Sequence, residues 1–299
     1  MDSEKSVCKV CPRACGADRD KGEGFCAVGR LPVVAKAYLH MWEEPCISGV
    51  RGSGTVFFTG CNLKCVYCQN HEISQEGFGK PVTVEELGKI FMSLQEKGAH
   101  NINLVSPSHY VEAIRECLSG TDRLKIPVIY NSSGYDSLNA LGMMEGLVDV
   151  YLPDLKYFKS ETGLKYSGAG DYFKVASSAI LEMYKQAGAP VLDPEGIIRK
   201  GLIIRHLILP GMARESMDIL TWIRDNLPGG VYISLMSQYT PCFKAALHPE
   251  IDRRITRREY ELVVNHFIKL GFENGYMQER DSAREEYIPD FDLEGVEKT

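Results

Sequence analysis

The chain has 299 residues, 44% of them hydrophobic and 25% charged, and 34 basic against 40 acidic side chains leave a formal net charge of −6. That balance argues against general nucleic-acid binding, and no apolar run approaches the ~18 residues of a membrane span, so neither nucleic acid nor membrane is expected as a partner. The length suits one large α/β domain with a small module. The polar start, Met1-Asp2-Ser3-Glu4-Lys5, has no apolar signal core, so a cytoplasmic location is expected. There thiols stay reduced, and clustered cysteines point to metal binding before disulfides.

The first cluster is Cys8, Cys11, Cys15 and Cys26, carried by Cys8-Lys9-Val10-Cys11-Pro12-Arg13-Ala14-Cys15 and a polar loop. The loop offers few apolar residues for a core, so a bound metal is expected to supply folding energy, either zinc or a second iron–sulfur cluster. Val33 to His40 reads as a strand, and a Gly-rich connector, Ser48 to Gly54, leads to the apolar strand Thr55-Val56-Phe57-Phe58. Residues 1–50 are read as the cysteine module with its lead-in strand, 51–280 as the main domain and 281–299 as a charged tail, expected to be a surface extension or disordered.

Beyond Asn70 strands and helices alternate. Thr83 and Glu86 form a capping box that opens an amphipathic helix to about Gly98. A strand from Asn101 to Val105, a helix from Ser108 to Leu118 and a strand from Pro127 to Tyr130 follow, the last running into Asn131-Ser132-Ser133-Gly134. A helix around Leu138–Glu145 leads to the strand Val148–Leu152, which ends in Pro153-Asp154-Leu155-Lys156. Then come a long helix from Asp171 to Ala187, a strand from Gly201 to Leu209 interrupted by Arg205-His206, and a helix from Glu215 to Leu227. A strand from Val231 to Leu235, a helix from Thr256 to Leu270 and a short strand at Tyr276-Met277-Gln278 complete the series. Successive βα units imply a parallel sheet with right-handed crossovers, as an open sheet or a partial barrel.

In either arrangement the residues at C-terminal strand ends gather on one face. Cys61, Cys65, Cys68, Ser106, Asn131, Asp154 and Lys156 occupy such ends, with Arg205 nearby. The spacing Cys61-x3-Cys65-x2-Cys68 brings three soft ligands together with no fourth cysteine to close the site. His109 and His206 are read as hydrogen-bonded structural histidines and Cys117 as a small core residue. Cys46 and Cys242 are read as loop thiols.

Cys61-x3-Cys65-Val66-Tyr67-Cys68 resembles the signature of radical S-adenosylmethionine enzymes, and the run from Gly54 through Thr59-Gly60-Cys61 to Gln69-Asn70 is similar to their glycyl-radical-enzyme activating branch. With Cys-x2-Cys-Pro-Arg-x-Cys in front, the chain resembles the pyruvate formate-lyase activating enzyme-like group. The resemblance implies a six-stranded partial (βα) barrel, a [4Fe-4S] cluster on the triad and S-adenosyl-L-methionine chelating the open iron. One electron would cleave the cofactor to a 5′-deoxyadenosyl radical that abstracts hydrogen from a protein or peptide. The electron donor would be a flavodoxin or ferredoxin, and installation of a glycyl radical is one possible outcome. By position Tyr67 would lie along the adenine, Lys156 would pair with the methionine carboxylate, Asn131 and Ser132 would face the ribose, and Arg205 matches an arginine strand. Where the family shows Gly-Gly-Glu for the methionine amino group, this chain has Ser106-Pro107-Ser108, so Ser106, with Ser108, is the candidate there. The alternatives are radical chemistry on a small molecule or a different protein modification, and a zinc-stabilised binding protein that is no enzyme.

Overall fold

The computed structural model describes residues 7–21, 24–120, 124–278 and 289–296. The lead-in strand β1 (Val33–His40) is followed by the single turn α1 (Pro45–Ser48) and by β2 (Ser53–Phe58). After the triad come α2 (His71–Ser74), β3 (Lys80–Pro81), α3 (Val84–Glu96), β4 (Ile102–Val105), α4 (Val111–Ser119), β5 (Val128–Ser132), α5 (Leu138–Met144) and β6 (Val150–Pro153). The second half holds α6 (Ser160–Ser167), α7 (Tyr172–Ala187), β7 (Val191–Leu192), β8 (Ile198–Leu207), α8 (Ala213–Asn226), β9 (Tyr232–Met236), α9 (Arg257–Lys269) and β10 (Gly275–Met277).

The strands form one sheet in the order β10-β9-β8-β6-β5-β4-β2-β1-β3. From β2 to β10 every neighbouring pair is parallel, while β1 pairs antiparallel with both β2 and β3. The sheet does not close on itself, so the architecture is a partial barrel, with β2, β4, β5, β6, β8 and β9 as its six strands and β10 as a short addition. The short elements α1, α2 and β3, the helix α6 and the β7–β8 hairpin went unread in the sequence.

Alternation along the strands sorts the two faces. Leu104, Tyr130, Tyr151, Leu202 and Ile204 join the helices in the main core, while Ile129, Val150, Leu152 and Ile203 form a second cluster with Cys46 and Ile47 of α1. The turn α1 therefore plugs the inner floor, and Cys46 is a core residue rather than a loop thiol. On the outer face, α3 buries Leu87, Ile90, Phe91 and Leu94 in one stripe and starts at the Thr83–Glu86 capping box read from the sequence. A second capping box, Thr256 with Glu259, opens α9.

Of the expected tail, residues 289–296 do not leave the surface but return to β1. Leu293 and Glu294 exchange backbone hydrogen bonds with Ala35 and Ala37, Lys36 pairs with Asp292 at 3.1 Å and Glu294 at 3.3 Å, and Val296 is fully buried. The rest of that stretch lies outside the described residues.

Two buried histidines tie loops to strands. His109 Nε2 lies 2.9 Å from the carbonyl of Thr59, just before the triad, and His206 Nδ1 lies 2.6 Å from the carbonyl of Leu155. Burial, opposed by those carbonyls, lowers both to about 4. Both folded values are below the ordinary ~6.5, so their stabilising contribution is full above that value and is lost as pH falls toward 4. The loss is about 1.4 kcal/mol per pH unit for each histidine. Urea unfolding at pH 7 and pH 5 is expected to show a clear fall in midpoint at the lower pH, and unchanged midpoints would contradict this assignment.

Candidate active site

The triad begins where β2 ends. Gly60, with φ at +87°, turns the chain, and a Cβ there would come within 2.8 Å of the Cys26 carbonyl, so only glycine fits. Each thiol then has a nearby polar contact. Cys65 Sγ is 2.9 Å from Ser167 Oγ, Cys68 Sγ is 3.2 Å from Ser74 Oγ, and the Leu63 N–H points at Cys61 Sγ from 3.4 Å. Burial pushes the thiols of Cys61 up to about 11 and Cys68 up to about 12, and raises Cys65 against the opposing charge of Lys156. Thiols in this state release protons when they bind metal.

Beside them opens a cleft of ≈ 260 Å³, lined by Cys65, Tyr67, Cys68, Lys156 and Arg205 from the predicted set, with Asp154 and, from β9 and the following loop, Met236, Gln238, Tyr239 and Thr240. Cys61 does not line the cleft but lies near enough to Cys65 for the two to repel as anions. Tyr67 hydrogen-bonds Tyr157 at 2.5 Å, Tyr157 bonds Ser167 at 2.7 Å, and Ser167 reaches Cys65, so the aromatic wall and the thiol share one chain of hydroxyls.

The cleft floor is an ionic network. Arg205 donates to Asp154 at 3.0 Å, to Glu43 at 3.2 Å and to Asn131 at 2.5 Å. Glu43 also accepts from Asn103 at 3.0 Å and from Asn131 at 3.3 Å, and Lys156 pairs with Asp154 at 2.5 Å. Burial works against the Asp154 anion, yet Lys156 and Arg205 outweigh it and hold the carboxyl below its usual range. Glu44, buried next to this group, is raised by burial despite Arg205 nearby, and its Oε2 has no partner among the described residues.

Several predicted contacts are placed elsewhere. Asn131 spends its amide on Arg205 and Glu43, and it supports the floor instead of lining the cleft. Ser132 donates to Asp136 at 2.6 Å, and Ser108 bonds the same carboxylate, so neither hydroxyl faces the cleft. Ser106 does not line it either. That residue adopts φ +60°, a conformation costly for any residue but glycine. Cys15 and Cys26 meet beside Gly24, where an added Cβ would lie 3.7 Å from Cys26 Sγ and 3.8 Å from Cys15 Sγ, and Cys11 lies within charge range of Cys8, Cys15 and Cys26. Among the described residues, however, no group of three or more His, Cys, Asp or Glu closes tightly enough to hold a single metal ion. The same holds for Cys61, Cys65 and Cys68, so the side-chain placement favours neither zinc nor a cluster at either set. Cys242 lies beside the triad, its thiol donating to the Tyr67 carbonyl at 3.3 Å. No helix among the described residues is long and apolar enough to cross a membrane.

The sequence reading missed Glu43, Glu44, Asn103, Tyr157, Ser167, Gln238 and Tyr239. A signal existed only for the first two, as paired acids between an apolar strand and Pro45.

Residues 55–223 match the Radical SAM superfamily. The chain belongs to that superfamily. It is 33% identical over 264 residues to an uncharacterized protein of Methanocaldococcus jannaschii, covering 85% of this chain and 72% of that protein. It is 22% identical over 201 residues to the pyruvate formate-lyase-activating enzyme of Clostridium pasteurianum, covering 62% of this chain and 74% of the enzyme. Among solved structures, Streptococcus suis SuiB bound to precursor peptide SuiA aligns with a TM-score of 0.51 at 11% identity over 73% of this chain and 46% of SuiB. SuiB bound to S-adenosylmethionine aligns at 0.50 and 13% identity over 76% and 50%. The radical SAM chain thus spans about half the length of these structures, and the likeness is one of fold.

Because Glu43 ties Arg205 to β4 and β5, removing it leaves a buried guanidinium short of a counter-charge. Glu43→Ala is expected to cost about 3 kcal/mol of unfolding free energy in urea, and Glu43→Gln less, since the amide oxygen still accepts. A cost below ~0.5 kcal/mol for Glu43→Ala, typical of an exposed substitution, would contradict the network as described.

Proposed function

We propose that the three thiols and the adjoining cleft form the cofactor site of a radical S-adenosylmethionine enzyme that takes hydrogen from a protein or peptide. The observation that carries the reading is the meeting of Cys65 and Cys68 of the open three-thiol set, a partly buried lysine and an aromatic wall in one cleft at the C-terminal strand ends. Cys61, Cys65 and Cys68 would hold a [4Fe-4S] cluster, and Lys156 would hold the methionine carboxylate of S-adenosylmethionine. When bound and reduced, these groups supply a 5′-deoxyadenosyl radical for hydrogen abstraction.

The chain's own residues do the positioning. Lys156 is fixed through Asp154, which is in turn fixed by Arg205, so the ammonium is already oriented before an anion arrives. Arg205 has donors committed to three acceptors and serves as a strut for that arrangement rather than as a free anion ligand. Tyr67 and Tyr239, with ring centroids 5.7 Å apart, close one wall with apolar surface and limit water near the thiols. The likeness to the Clostridium pasteurianum activating enzyme supports a protein as the hydrogen donor and glycyl-radical formation as one specific form of the activity.

Reduced, reconstituted protein is expected to release 5′-deoxyadenosine from S-adenosylmethionine and, with a backbone-deuterated protein substrate, to carry deuterium into it. Lys156→Ala is expected to weaken S-adenosylmethionine binding about 10-fold or more, the worth of one charged hydrogen bond, in anaerobic equilibrium titration. Unchanged affinity would remove Lys156 from the site.

A further inference from the structure

The cysteine module and the triad loop are joined by one side chain. Arg13 lies between Cys11 and Cys15, and its guanidinium donates to the Asn62 carbonyl at 2.8 Å, the Gly168 carbonyl at 2.6 Å and the Ser167 carbonyl at 3.4 Å. Asn62 sits between Cys61 and Cys65, and Ser167 is the residue whose hydroxyl meets Cys65. One planar group thus grips both the loop that carries the thiols and the segment that contacts one of them. The fork geometry of arginine permits this, and the single ammonium of lysine does not reproduce it.

The guanidinium is itself held on the module side. It stacks 4.0 Å from the ring centroid of Phe25, the residue before Cys26, and lies 5.1 Å from that of Tyr135. Tyr135 returns to the same loop, because its carbonyl accepts from the Asn62 side chain at 2.6 Å. The module touches the loop at one further point, where the Cys26 carbonyl packs on Gly60, and the Val10 carbonyl accepts from Ser137 at 2.6 Å, anchoring the segment that leads to Arg13.

We infer that Arg13 is a positioning residue for the three-cysteine loop, held in place by the four-cysteine segment to which it belongs. This rests on the reading that Cys61, Cys65 and Cys68 hold the cluster. It assigns the Pro12-Arg13 pair a task of its own, setting the spacing between Cys61 and Cys65 through backbone carbonyls, as outer partners of metal ligands do.

The test compares wild type, Arg13→Ala, Arg13→Lys and, as control, Cys61→Ala, all anaerobically reconstituted with iron and sulfide. The readouts are iron retained after chelator challenge and the electron paramagnetic resonance spectrum of the reduced cluster. Wild type is expected to retain triad iron that Cys61→Ala lacks. Arg13→Ala is expected to lose that iron on the order of 10-fold faster or more completely, with far-ultraviolet circular dichroism unchanged. Arg13→Lys is expected not to rescue, since charge alone cannot grip three carbonyls. If Arg13→Ala does not fold, Arg13→Lys alone decides. Retention and spectra equal to wild type in the Arg13 variants would overturn the inference, and so would full rescue by lysine, which would make the effect one of charge. If wild type and Cys61→Ala retain the same iron, the cluster assignment itself fails, a result distinct from either of these.

Discussion

Arg205 is a largely buried guanidinium on the floor of a partial barrel, and much of the site is arranged to offset the cost of taking it out of water. Burial disfavours its charge, yet Asp154, Glu43 and Glu44 hold it protonated, and three acceptors fix its orientation. Such a group is destabilising when a partner is missing and specifying when all are present. Because its partners come from the segment after β1, from β5 and from the end of β6, the network also sets the mutual placement of those elements. Lys156 inherits its position from the same network through Asp154.

The triad loop is constrained from both sides. On one side stand Arg13 and the Cys26 backbone; on the other the Lys244 N–H donates to the Val66 carbonyl at 2.9 Å and Phe243 stacks on His71 at 4.6 Å. Gln75 adds a bond to the Cys65 carbonyl at 3.0 Å. These contacts fix the backbone and leave Cys65 and Cys68 facing the cleft. A loop held in this way can lose three protons on taking up a metal centre without rebuilding its path.

What was legible in the sequence was local. The capping box at Thr83, the apolar strands and the thiol spacing each depend on residues within a few positions of one another, and the capping box opens its helix where it was read. Lys156 was legible because an apolar strand delivers it to the correct end of the sheet. Glu43 was not, since its partners Asn103, Asn131 and Arg205 lie 60, 88 and 162 residues away. Ser132 was placed at the right strand end but its hydroxyl was claimed by Asp136, a choice made by burial and not by position. The return of residues 289–296 to β1 was hidden for a similar reason, because a short charged segment gains its stability from Lys36 across the whole chain.

The central claim is that the open side of the triad centre is where S-adenosylmethionine binds. Anaerobic electron paramagnetic resonance of the reduced protein, titrated with S-adenosylmethionine, tests this most directly. The reduced protein is expected to give a cluster signal whose g-values shift on addition of the cofactor, with that shift lost in Cys65→Ala. A signal that S-adenosylmethionine leaves unchanged, or a shift that persists in Cys65→Ala, would contradict it.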